Sequence, residues 1–142
     1  MNRKGSKGTC FVAFATFCIL AAVSPASAHH SFSAEFDSKK PVALDGVIEK
    51  VDWINPHSWL HVDVTNKDGQ VEHWDIQTES PSQLRRAGMT RESFGKPGDK
   101  VKIQAFGAKD GTKHLAIVRT ITYENGTTFE LLGSLCRPAC QQ

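Results

Sequence analysis

The stretch SWLHVDVTNKDGQVEHWDIQT, residues 58–78, decides the fold. Successive side chains of a strand point to opposite faces, so Leu60, Val62 and Val64 fall on one side and Trp59, His61 and Asp63 on the other. Such alternation marks a half-buried strand. Asn66-Lys67-Asp68-Gly69 supplies the turn, and residues 71–78 return with Trp74 and Ile76 on one face and His73, Asp75 and Gln77 on the other. The two halves form an antiparallel hairpin. A slip of one residue would turn its whole apolar set to water. Any register that buries Leu60, Val62 and Val64 with Trp74 and Ile76 therefore gathers His61, Asp63, His73 and Asp75 on the opposite face.

Outward from the hairpin, residues 42–51 are rich in β-formers, with Gly46 placed for a bulge or bend, and Asn55-Pro56 breaks the chain before the hairpin. After it, Ser80 suits a helix N-cap, Pro81 the first helical position, Leu84 and Ala87 an apolar side, and Gly88 the end. A further turn over residues 90–94 precedes Lys96-Pro97-Gly98-Asp99, a tight turn into a fourth strand over 100–106. A fifth strand covers 114–123, and Asn125-Gly126 turns the chain into a short sixth over 128–132. Asn125-Gly126-Thr127 also matches a glycosylation acceptor, though the Asn-Gly turn accounts for it. The order β-β-β-α-β-β predicts a mainly β fold: a small OB-like barrel of five to six strands with one short helix between strands 3 and 4.

The other end of the chain carries a targeting pattern. Arg3, Lys4 and Lys7 precede an apolar run from Cys10 to Val23, and Ala26-Ser27-Ala28 places small residues at the cleavage positions. The run falls short of the roughly 20 residues a membrane span needs, so residues 1–28 read as a secretory signal peptide cut after Ala28. The expected parts are the signal at 1–28, an extended segment at 29–41, the barrel at 42–132 and a tail at 133–142. The predicted location is periplasmic or secreted, with no transmembrane segment after cleavage.

Removing the leader leaves 142 − 28 = 114 residues, enough for one core. Three of the 17 Lys+Arg and none of the 15 Asp+Glu lie in the leader, so the mature balance is 14 − 15 = −1. Such a chain lacks the positive field that nucleic-acid binding needs, and no nucleic-acid partner is expected. Of four cysteines, Cys136 and Cys140 survive cleavage; in an oxidising compartment a small-loop disulfide is the leading expectation, with unpaired or intermolecular thiols, or a redox or metal role, as the alternatives.

Cleavage after Ala28 would make His29 the first residue, with His30 behind it. Its α-amine and Nδ1 then grip one ion in a six-membered chelate, and an all-nitrogen set favours Cu(II) by the Irving–Williams order. An α-amine pKa of about 8 leaves a useful neutral fraction at physiological pH. The plainer reading is a loose chain end. Phe32 and Phe36 sit where they would pin the segment to the barrel.

Other candidates come from the hairpin. His57 and His61 share a parity, but four residues of strand separate them by roughly 13 Å, too far to chelate together unless Pro56 bends the chain. His61, Asp63, His73 and Asp75 form a cluster suited to a metal or to proton exchange, although a sheet with one wetted side shows polar residues at alternate positions by default. Trp59 is a candidate aromatic platform, Trp74 has core parity, and Trp53 is not placed. His114 is assigned no partner. G-x-S-x-G, H-E-x-x-H and Gly-rich phosphate loops are absent, so an enzyme is not the favoured reading.

The segments Ala28-His29-His30-Ser31-Phe32, Glu35-Phe36-Asp37, Asn55-Pro56-His57 with Trp59, and Lys96-Pro97-Gly98-Asp99 resemble those of a group of small secreted bacterial proteins catalogued only as a domain of unknown function. The resemblance covers about residues 28–130 and implies export and a compact β-rich domain. It implies no activity, and the Cys136–Cys140 tail is no part of it.

The leading expectation is a non-enzymatic periplasmic binding module that holds a transition metal, copper first, through His29 with help from His30 and either His57 or His61. The alternative binds a small ligand or a periplasmic protein partner without metal, using Trp59, His73 and Asp75. A third, an oxidative enzyme on the same copper site, has no substrate named by the sequence.

Overall fold

The computed structural model describes residues 32–132. His29, His30, Cys136 and Cys140, with the expectations attached to them, lie outside the described residues. Those described form strands β1 (Phe36–Asp52), β2 (Trp59–Thr65), β3 (Val71–Gln77), β4 (Lys100–Ala108), β5 (Leu115–Tyr123) and β6 (Thr128–Glu130), with short helices α1 (Phe32–Glu35) and α2 (Pro81–Arg86). The chain is mainly β; α2 falls between the third and fourth strands as the turn chemistry predicts, whereas α1, a single turn ahead of β1, stands where the sequence predicts an extended segment.

The strands close into a ring. β1 pairs antiparallel with β2 through residues 47–52 and with β4 through residues 36–47. β2 pairs with β3, β4 with β5, and a parallel β3–β5 pairing joins the two arms, giving the cycle β1-β2-β3-β5-β4 with β6 added beyond β5. Closure removes the unpaired edges that would otherwise invite association. The inward side chains, among them Leu44, Ile48, Leu60, Val62, Ile76, Ile103, Val118 and Ile121, fill the centre.

β1 departs from the sequence reading in two places. It begins at Phe36 rather than Val42, because Phe36 pairs with Ala108 and Pro41 with Phe106. Its irregularity toward β2 falls between Ile48 and Lys50, so Glu49 is the unpaired residue and not Gly46. Gly46 does something else: a Cβ there would stand 2.5 Å from the carbonyl oxygen of Asp63 and 2.7 Å from Val62. Only glycine lets β1 bend from β4 onto β2 at that approach.

A second, smaller apolar cluster lies outside the ring. Phe36, Phe106, Ile117 and Leu132 are buried in it, and Phe32 and Leu115 pack against it. Phe32 stacks on Phe36 with ring centroids 6.3 Å apart and meets Phe106 edge-on at 5.9 Å. The pinning expected of these two phenylalanines is present.

Turn and cap residues act as their chemistry dictates. Ser80 and Gln83 form a capping box around Pro81. At the far end Gly88 takes φ +86°, its N–H donates to the Arg85 carbonyl, and that of Met89 to Leu84, a Schellman stop. Leu84 is buried, whereas Ala87, expected on the apolar side, is exposed. In Lys96-Pro97-Gly98-Asp99, Gly98 has φ +94° and the Asp99 N–H closes on the Lys96 carbonyl. The Gly98 N–H also donates to Ile48, tying this turn to β1.

Candidate functional site

The outward face of β1, β2 and β3 holds most of the chain's described chemistry. In the β2–β3 register His61 faces Asp75 and Asp63 faces His73. Core burial of Leu60, Val62 and Ile76 forces this set outward, since alternate residues must take opposite faces. The four residues form two cross-strand pairs: Nδ1 of His61 lies 2.7 Å from Asp75, and Nδ1 of His73 lies 2.6 Å from Asp63.

β1 adds a carboxylate to each pair. Asp52 reaches Nε2 of His61 at 3.1 Å, so both ring nitrogens of His61 are engaged, on opposite edges of the ring. Asp52 also accepts from Lys50 at 2.7 Å. The Lys50 ammonium first, then His61, holds the Asp52 carboxyl below the usual carboxylate range. Beside the second pair, Glu49 comes within 4.0 Å of Nδ1 of His73. Ligand atoms of Glu49, Asp63 and His73 all lie within 4.8 Å of one another. Nothing in the sequence marks Asp52 or Glu49 for this face, because the bulge that sets their positions cannot be seen in a single strand.

His57 sits apart from His61, ahead of β2. Its Nδ1 is 3.3 Å from the carbonyl oxygen of Thr78. A carbonyl only accepts, so in the neutral ring Nδ1 carries the hydrogen and Nε2 keeps its lone pair. His57 is thus oriented with a free donor atom, and His61 is not. Trp59 is half-buried rather than an open platform. Trp74 is half-buried against the core, and its indole N–H donates to Glu72 at 3.4 Å. Trp53 packs edge-on against Phe94 at 5.0 Å, with Arg85 6.0 Å above its ring.

Two further residues, His114 and Glu79, have surroundings that the sequence does not signal. His114, given no partner, takes φ +57°, lies 5.0 Å from the Trp74 ring and brings Nε2 within 3.6 Å of Glu72. Asn66, donating to Glu72 at 3.1 Å, and then Trp74 hold that carboxyl below its ordinary range. Glu79, just past β3, is 7% exposed, and its buried Oε1 has no hydrogen-bond partner. Burial pushes its carboxyl up to about 7. The signal for it is weak: Glu79 follows a strand and precedes an N-cap, a place that is usually wet.

Among the described residues no helix is long and apolar enough to cross a membrane. A family model described as a family of unknown function (DUF6152) matches residues 16–116. No curated protein and no solved structure matches the chain.

Proposed function

The chain belongs to this family of unknown function, DUF6152, and from its own residues we propose that it is an exported binding module for a transition metal, copper first. In this reading export removes residues 1–28, the amine and Nδ1 of His29 chelate Cu(II), His30 assists, and His57 supplies a further imidazole from the barrel. A periplasmic location is part of the proposal.

The observation that carries it is the anchoring of Phe32 on Phe36 and Phe106. His29 stands three residues ahead of that fixed point, which gives it about 10 Å of chain plus its side chain. Phe106, Ile117, Gln77 and Trp59 form one row across four adjacent strands, three steps of about 4.8 Å each. Thr78, which orients His57, follows Gln77 directly. Reach and row are therefore of similar size. An anchored terminus also raises the effective concentration of its donors near the barrel.

Titration of Cu(II) into the mature protein, compared with a variant carrying one extra residue ahead of His29, tests the reading. The added residue converts the terminal amine to an amide and should cost at least tenfold in affinity. Equal affinity overturns the terminal site and leaves binding of a small ligand or protein partner on the barrel face as the better account.

A further inference from the structure

We propose a second cation site, separate from the amino terminus, in which Glu49, Asp63 and His73 hold one divalent first-row ion of the zinc class. Its donors come from three adjacent strands, so their spacing is set by the sheet and not by loops. Asp63 and His73 are register partners on β2 and β3. The register shift between Ile48 and Lys50 leaves Glu49 exposed and unpaired, between the rungs of Val62 and His61 and two residues along β1 from Val47, the partner of Asp63. Bulges commonly re-aim a side chain at a site in this way.

The donor geometry is close to what such an ion needs. With bonds of about 2.0–2.2 Å to nitrogen and oxygen, tetrahedral donors stand about 3.3 Å apart. The His73 nitrogen is 2.6 Å from Asp63 and 4.0 Å from Glu49, values on either side of that spacing. Glu49 and His73 have side chains 58% and 71% exposed, so small rotations close the difference without moving the sheet. One imidazole with two carboxylates suits a borderline ion, whereas the all-nitrogen terminal set suits Cu(II). Lys50, the nearest cation on β1, is turned to Asp52 and does not compensate the two charges. Coordination through Nδ1 moves the hydrogen of the neutral His73 ring to Nε2, which faces away from Asp63, and acid weakens the site by competing for the same nitrogen. Water completes the coordination on the open face.

The neighbouring Asp52-His61-Asp75 set does not qualify. Its two carboxylates lie on opposite edges of one ring, so their oxygens cannot meet around a single ion.

Calorimetric titration of Zn(II) into the full exported chain carrying His29→Ala and His30→Ala tests this site with the terminal one removed. One saturable ion per chain is expected. His73→Gln and Asp63→Asn should each weaken binding at least tenfold, Glu49→Gln several-fold, and the distant Asp45→Asn not at all. Circular dichroism without metal checks that every variant folds. No saturable binding, or parental affinity in both His73→Gln and Asp63→Asn, overturns the proposal. Because the terminal histidines are absent throughout, either result leaves the copper reading untouched.

Discussion

Gly46 passes Asp63 so closely that a methyl group on its Cα would lie 2.5 Å from the Asp63 carbonyl oxygen. The neighbour is backbone in a paired strand and cannot swing aside. Gly46→Ala should therefore force β1 and β2 apart and cost about 2–3 kcal/mol, at the upper end of overpacking effects. Urea denaturation reads this as a lower midpoint at similar slope. An unchanged midpoint would mean that β1 does not make this bend in solution.

Glu79 gives a pH dependence of defined sign. Its folded carboxyl titrates at about 7, above the ordinary 4.5, because burial disfavours the charge. Below the ordinary value the group is neutral in both states and folding bears no penalty. Between 4.5 and 7 the unfolded chain releases the proton first, so stability falls as pH rises, and above 7 the loss is complete. The shift corresponds to about 3 kcal/mol. Glu79→Gln should match the parent near pH 4 and exceed it near pH 8, as measured by paired urea titrations. A constant difference across that range would place the carboxyl in water.

How much of this was legible depends on range along the chain. Alternation in residues 58–78 was enough to place His61, Asp63, His73 and Asp75 on one face, because a period of two admits no other burial of Leu60 and Val62. Ser80 with Gln83, and Pro97 with Gly98, announced a cap and a turn through contacts within four residues. Closure through Gln77 and Ile117 could not be read, since a parallel pairing between distant segments leaves no local mark. The same holds for Glu49, whose place depends on which residue of β2 it skips, and for Glu79, whose backbone carbonyl is bonded by the distant Ser58 N–H. His114 shows no partner in the sequence because Glu72 and Trp74 lie on β3, some forty residues earlier in the chain.

Phe32 links fold and proposed function. It is half-buried, so Phe32→Ala should cost only about 1 kcal/mol of stability. Loss of the anchor releases the terminus from the barrel, and Cu(II) affinity should fall about tenfold as the cost of bringing His57 to the ion rises. Competition titration against a chelator of known affinity measures this. Phe36→Ala is a different test: Phe36 is 3% exposed, and its loss should cost about 3 kcal/mol through the cavity it leaves. Unchanged copper affinity in Phe32→Ala would show that the terminal chelate works without the barrel.

His57 and His61 separate by the atoms they leave free. Nδ1 of His57 is spent on the Thr78 carbonyl and Nε2 is available, whereas Asp52 and Asp75 occupy both nitrogens of His61. His57→Gln should weaken Cu(II) binding about tenfold, because the ion loses an imidazole already oriented for it. His61→Gln should leave that affinity intact and cost at most about 1 kcal/mol of stability, the scale of a partly exposed charged hydrogen bond. It should also blunt the acid limb of the stability profile. Asp52 titrates below its ordinary range because of Lys50 and then His61, so its stabilisation is present above that range and lost as pH falls through it. Removing His61 takes away the second of these causes and shrinks the loss. Should copper affinity instead follow His61 and ignore His57, the ion would have displaced Asp52 or Asp75, and the donor set would have to be redrawn around β2.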